Sequence, residues 1–330
     1  MFTVHMAAPP MKRKEGAYIM KEFAVAIQSL RDLELSRQPW SACTHLNEIE
    51  RNMQTMFFSV WEQMCGARRQ PDRLYFGSEF CQYRLPSLTA VKQALAYSQE
   101  HGLAFTFVIP YVHTVKFEAL PEILVYLQTM AVKEERPLEV VVNDWGVYHH
   151  IRKHFPVLRI VIGRLLNRTI RDPRVADYYA DENAPTDARR VFAGSGLLSE
   201  WFGRFLQEGN VAGLEFDELI QEHALLEYSS PYMLSFHFPF GCVASGSACM
   251  VGFMEAEKKD KFRGDPNCRQ QCQRYTFELK NRHIPDMRHR IFQKGNTAFY
   301  THNRDIVKRG LANMAKAESG RVVYSPRIPV

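Results

Sequence analysis

The strongest constraint on this chain is a rhythm that starts at Arg73. Short apolar runs, "RLYFG" (73–77), "AFTFVIPYV" (104–112), "LEVVVNDWG" (138–146) and "LRIVIGRLL" (158–166), alternate with "PSLTAVKQALAYSQEHG", "LPEILVYLQTMAVKEE" and "VYHHIRKHF". A strand that is apolar on both faces must be covered on both faces, and intervening helices do this in βαβ units. Units repeated in series predict an α/β fold with a parallel sheet, rolled into a barrel or doubly wound. We read it as a TIM-barrel-like (β/α) barrel, complete or incomplete. The helix "LLSEWFGRFLQEG" (197–209) and the strands "AGLEFD" (212–217) and "YMLSFHFPF" (232–240) continue the alternation. The polar, proline-interrupted stretch at 168–190 is too long for a tight connection, so it reads as a lid or an inserted segment.

The flanks do not share this rhythm. Leu46, Ile49, Met53, Met56, Phe57, Val60, Trp61 and Met64 recur at spacings of three and four, which puts them on one helix face. Residues 1–70 are therefore expected to form a helical N-terminal extension. Residues 71–290 would form the barrel domain, and 291–330 a C-terminal extension packed on it.

Composition narrows the class. At 330 residues, with 46% hydrophobic and 24% charged residues, the chain can bury a large core. No apolar run approaches the roughly 18 residues of a spanning helix. The opening "MFTVHMAAPPMKRKEG" lacks the apolar centre of a secretory signal and reads as a leader. A cytoplasmic location, with reduced thiols, is the expectation. The net charge of +6 is spread over "MKRK" (11–14), "RHRIFQK" (288–294) and residues 303–321. That pattern fits solvated surface better than a nucleic-acid footprint, although contact with RNA or an anionic substrate is compatible with it.

Four of the seven cysteines, Cys242, Cys249, Cys268 and Cys272, crowd into one segment behind the strand at 232–240. The odd total and the expected compartment both weigh against disulfides. The spacings are C-x6-C, C-x18-C and C-x3-C. Only the last pair approximates a zinc knuckle, whereas iron–sulfur ligation tolerates looser spacing. Gly241, Ser245, Gly246 and Ser247 would permit close backbone approach to sulfur. On spacing alone iron–sulfur and zinc stand level, with uncoordinated thiols the third option. Cys43 and Cys65, in the N-terminal extension, read as buried inert thiols.

Polar residues collect behind the strands: Ser78, Glu79 and Cys81, then His113, Asn143 with Asp144, and Arg164 with Asn167. Chemistry gathers at the carboxyl ends of strands in such folds. No G-x-S-x-G elbow or H-E-x-x-H motif is present, and "AGSGLLS" lacks a nucleophile pattern. His149 and His150 read as surface or capping residues. A peptidase reading has no residues to stand on.

"CVASGSAC" followed by "CRQQCQRY" resembles the signature of the collagenase-like peptidase family (peptidase family U thirty-two), within which the UbiU and UbiV branches carry [4Fe–4S] clusters on four cysteines. "LYFGSEFCQYR" (74–84) is similar to the UbiV branch specifically, and "VVVNDWGVYHH" to a family strand ending in Asn/Ser-Asp-x-Gly. The likeness spans roughly residues 73–280. It implies Cys81, Cys249, Cys268 and Cys272 as cluster ligands. Cys242, which matches the first cysteine of the UbiU pattern, is the alternative to Cys81. It further implies oxygen-independent hydroxylation of an aromatic or isoprenoid-quinone-precursor ring, with prephenate as oxygen donor, alone or beside a paralogous UbiU-like subunit. RNA base hydroxylation is the alternative within the family, and a non-catalytic iron–sulfur or zinc-stapled partner protein is another. A carboxylate-rich donor calls for arginine, which makes Arg84, Arg164, Arg168 and Arg274 candidates. Asn143, Asp144 and His113 are candidates for positioning substrate or moving protons.

Overall fold

The computed structural model describes residues 18–180, 183–221, 231–257, 259, 268–280 and 289–330. The leader, the basic run at 11–14 and half of the loop between Cys249 and Cys268 lie outside the described residues. Seven strands follow in chain order: β1 (Glu22–Ile27), β2 (Arg73–Gly77), β3 (Ala104–Ile109), β4 (Glu139–Val142), β5 (Arg159–Ile162), β6 (Val211–Asp217) and β7 (Met233–Phe238). The chain then leaves for a four-stranded antiparallel sheet made of β8 (Phe240–Ser245), β9 (Phe277–Leu279), β10 (Ile291–Lys294) and β11 (Thr297–Thr301), ordered β8-β11-β10-β9. It returns as β12 (Gly320–Tyr324), the eighth barrel strand, which closes a fully parallel barrel between β7 and β1. The barrel is complete.

Helices cover the outside: α1 (Glu48–Cys65), α2 (Leu88–Glu100), the one-turn α3 (Thr114–Phe117), α4 (Leu120–Lys133), α5 (Trp145–His154) and α9 (Arg304–Lys316). The stretch at 168–190 and its sequel form three short helices, α6 (Pro173–Ala180), α7 (Thr186–Ala193) and α8 (Glu200–Gln207). The start of α1 is fixed by a reciprocal capping box between Asn47 and Glu50. Its apolar face places Phe57 and Trp61 against the barrel wall, with Phe57 stacked on Tyr324 at 4.8 Å and Trp61 beside Phe23 at 4.7 Å. Each such buried aromatic contributes about 2–3 kcal/mol by removal from water.

Two expected boundaries change. The helical extension over 1–70 contains "EFAVAI", which is barrel strand β1, and α1 is the first barrel helix rather than an appendage. The C-terminal extension over 291–330 contains β10, β11 and β12, so the last barrel strand lies inside it. The barrel could not close without either segment.

The barrel interior is only partly apolar. Ala24, Tyr75, Val108, Val141, Val161 and Val323 fill one inner layer. At the amino end Arg321, 1% exposed, donates to Glu22 (2.9 Å), Tyr75 (2.6 Å) and Glu139 (2.8 and 3.1 Å). Burial alone would raise the Glu139 pKa, but Arg321 and Arg73 reverse that and hold the carboxyl low.

Candidate functional site

The sequence of β2 runs into a turn at Ser78–Cys81, and the sheet β8–β11 is inserted directly after β7. Both lie at the carboxyl-end mouth of the barrel, where loops from different strands meet. A cleft forms there. Cys81 reaches it from the turn after β2, and Cys249, Cys268 and Cys272 from the inserted segment. Arg84, Tyr83, Tyr111, Gln270 and Asn296 also line it. All seven cysteines of the chain are free thiols.

Local backbone prepares these sulfurs as acceptors. The Gly252 N–H donates to Cys249 Sγ at 3.2 Å and the Gln270 N–H to Cys268 Sγ at 3.4 Å. The Tyr83 N–H faces Cys81 in the same way. Amide donors two or three residues behind a cysteine stabilise its thiolate. Burial pushes the Cys81 thiol up to about 12, with the other three cleft cysteines adding to the rise. Burial also raises Cys249 and Cys272, while Arg84 and Lys294 pull Cys272 back. The Cys81, Cys249 and Cys272 sulfurs are thus close enough to their neighbours in the cleft to feel one another's charge. Among the described residues, no three His, Cys, Asp or Glu side chains stand as a ready-made group for a single metal ion. The fit to a metal centre therefore rests on the shared cleft, four sulfur donors and the amides behind three of them.

Two side chains tie the distant segments together. Gln270, in a left-handed conformation (φ 53°), donates from Nε2 to Tyr83 O (2.6 Å) and accepts from Arg84 Nη1 (3.0 Å). Asn296 donates from Nδ2 to Phe80 O and Gly246 O, both at 2.8 Å. Arg84 keeps a buried Nε without a hydrogen-bond partner at the cleft, beside Cys81 and Cys272. Burial lowers its pKa, and the two cysteines act in the opposite direction.

The remaining candidates are placed elsewhere. Cys242 is fully buried on β8 among Phe80, Phe240, Phe292, Phe299 and Ile328, and its N–H donates to Asp217 (2.9 Å). It does not line the cleft. Arg164, also fully buried, donates to Glu79 (2.6 and 3.2 Å), Asp217 (2.6 Å) and Phe240 O (3.1 Å). Its guanidinium is saturated by the protein and does not face the cleft. What it grips is the stem of the Cys81 turn. Asn143 bridges strand ends, donating to Ile109 O (3.0 Å) and accepting from Leu165 N (3.2 Å). Asp144 caps α5, accepting from Gly146 and Val147. His113 is exposed at the start of α3, its N–H donating to Gln82. Arg168 and Arg274 are exposed and do not line the cleft.

Sequence reasoning missed a second cluster, inside the barrel below Arg164. Glu215 on β6 and His237 on β7 are buried, with Oε2 and Nε2 3.2 Å apart. Neither side chain has a hydrogen bond of acceptable geometry, so the pair is a close contact rather than a formed bond. Burial drives Glu215 up to about 8 and His237 down to about 4, which keeps both neutral near pH 7. Period-2 alternation could have flagged them, because each stands at an inward position of its strand.

No protein-family model matches the chain, and no curated protein matches it. Among solved structures it is similar to the U32 peptidase Mk0906, at 11% identity and a TM-score of 0.37 over 98% of both chains. It is also similar to the Bacillus megaterium QM B1551 spore cortex-lytic enzyme SleL, at 9% identity and a TM-score of 0.32, over 92% of this chain and 70% of that one. At such values neither likeness carries an argument about activity. No helix among the described residues is long and apolar enough to cross a membrane.

Proposed function

We propose that this is an iron–sulfur protein in which Cys81, Cys249, Cys268 and Cys272 hold a [4Fe–4S] cluster, and that it is an oxygen-independent hydroxylase or one subunit of such an enzyme. The observation that carries the cluster is the shared cleft: a thiol from the turn after β2 lines the same space as three thiols inserted after β7. The hydroxylase reading adds the resemblance of "CVASGSAC", "CRQQCQRY" and "LYFGSEFCQYR" to the UbiU/UbiV branches. It takes as substrate an aromatic or quinone-precursor ring, with a prephenate-type oxygen donor.

A bound cluster would supply electron-transfer or Lewis-acid chemistry. The chain's own residues do the rest. Amides of Tyr83, Gly252 and Gln270 donate toward sulfur, which favours thiolate over thiol. Arg84 and Lys294 offset negative charge beside Cys272. Arg84, which lines the cleft, is the cation there that could orient a carboxylate. Tyr83 and Tyr111 give the same cleft aromatic walls. Arg164 serves the site indirectly, by anchoring Glu79 two residues ahead of Cys81.

The test is purification of the full chain without oxygen, followed by iron, sulfide and zinc analysis. The reading expects about four iron and about four sulfide per chain. A colourless protein with zinc and no iron would replace it with a zinc-stapled binding protein. Assay of the chain alone and then with a paralogous subunit separates an autonomous enzyme from one half of a pair.

A further inference from the structure

Residues 325–330 cross the mouth of the barrel as a strap. The Ser325 N–H donates to Phe238 O (2.7 Å), Arg327 pairs with Asp32 (2.7 and 2.9 Å), and the Ile328 N–H donates to Glu50 (3.2 Å). Three attachments thus aim the segment before it reaches Val330. That residue is 3% exposed and packs in one small cluster with Cys81, Val251 and Cys272.

Val330 is held from both sides of the cleft. On one side Ser78 Oγ donates to its carbonyl (2.5 Å) while accepting the Cys81 N–H (3.3 Å). On the other stands Gly295, at φ +60°, in the turn between β10 and β11. A Cβ there would lie 2.4 Å from Val330 Cγ2 and 3.5 Å from Cys272 Cβ. Only a residue without a side chain lets Val330 approach Cys272 so closely.

We propose that Val330 and Ser78 are positioning residues of the thiol cleft, which fix Cys81 against Cys272 through the strap. This sets the spacing of two sulfurs that arrive from segments almost two hundred residues apart in sequence. It also explains why "GNTAFYTHNRD" (295–305) begins with Gly-Asn: Gly295 admits Val330 and Asn296 ties the two cleft walls together. The inference rests on the thiolate reading of the cleft only where metal is the probe.

The experiment compares the full chain with Val330→Ala and Ser78→Ala in two arms. In the first, metal-free protein is alkylated with iodoacetamide and each cysteine is followed by mass spectrometry. The expected result is an increase of about tenfold in the labelling rates of Cys81 and Cys272, from local opening, with Cys242 and Cys268 unchanged. Unchanged rates at Cys81 and Cys272 would overturn the proposal. So would an equal rise at Cys242, because it would show general loosening. In the second arm Co²⁺ is titrated in without oxygen and the thiolate-to-cobalt absorption is read. The variants are expected to bind about tenfold more weakly than the parent, and equal binding would count against positioning. If the parent itself shows no thiolate–cobalt band, the metal reading of the cleft falls, and the labelling arm still decides the strap.

Discussion

Arg164 shows how a charged residue behind a strand can be read in two ways. From sequence it is a candidate grip for a carboxylate substrate. In the fold it is sealed between Glu79 and Asp217, and its work is mechanical. Removing one member of a buried ion network leaves its partners buried and uncompensated, a loss of about 3–5 kcal/mol. Arg164→Met should therefore lower unfolding free energy by that amount in urea titrations. A substrate-binding role would instead leave stability intact and raise KM. Glu215 makes a second residue-scale prediction. Its folded pKa of about 8 lies above its ordinary 4.5, so the folded state keeps a proton that the unfolded state has lost, and stability falls as pH rises through that interval. His237, lowered from 6.5 to about 4, acts in the opposite sense, and its contribution is lost as pH falls below 6.5. Between pH 6.5 and 8 the Glu215 slope stands clear of it, at about 2 kcal/mol over the interval. Glu215→Gln should flatten that slope; an unchanged slope would mean that Glu215 is ionised in the fold.

At the scale of elements, the strands whose apolar residues face both ways were readable, because burial on both faces leaves no polar alternation to confuse the pattern. β2 to β5 belong to this group, whereas β6 and β7 carry Glu215, Asp217, Ser235 and His237 on their inward face and are read from their place in the alternation of strands and helices. β12 was not readable as a strand. "GRVVY" carries Arg321 at an inward position and sits in a basic stretch, so its charge suggested solvent. Only the fold supplies Glu22 and Glu139 to neutralise it inside the barrel. β1 was hidden for a different reason: its six residues lie ahead of a long helix that dominates the periodicity of the first 70. The thiols were visible as residue types, and the resemblance singled out four of them. That these four share a cleft is a property of topology, since the turn after β2 and the insertion after β7 meet only when the barrel closes. The turn between β10 and β11 gives the prediction at this scale. Gly295→Ala forces a left-handed φ on an L-residue and drives a methyl into Val330, so it should cost about 2 kcal/mol or more. In thermal denaturation it should lower Tm, whereas Gly246→Ala, where the nearest atom lies 4.0 Å away, should not.

Across the whole molecule, the barrel is a frame whose amino end is locked by Arg321 and whose carboxyl mouth is given over to an inserted sheet, a strap and a cleft of thiols. Pieces from the turn after β2, the insertion, the 295–296 turn and the strap all converge there, so the site exists only in the closed fold. The central claim is that one cluster is held by Cys81, Cys249, Cys268 and Cys272, with Cys242 a packing residue. The most direct measurement is iron and sulfide per chain in anaerobically purified Cys81→Ala and Cys242→Ala, each beside the parent. The account expects Cys81→Ala to lose most of its iron and Cys242→Ala to keep the parent's content. Iron retained in Cys81→Ala but lost in Cys242→Ala would contradict it.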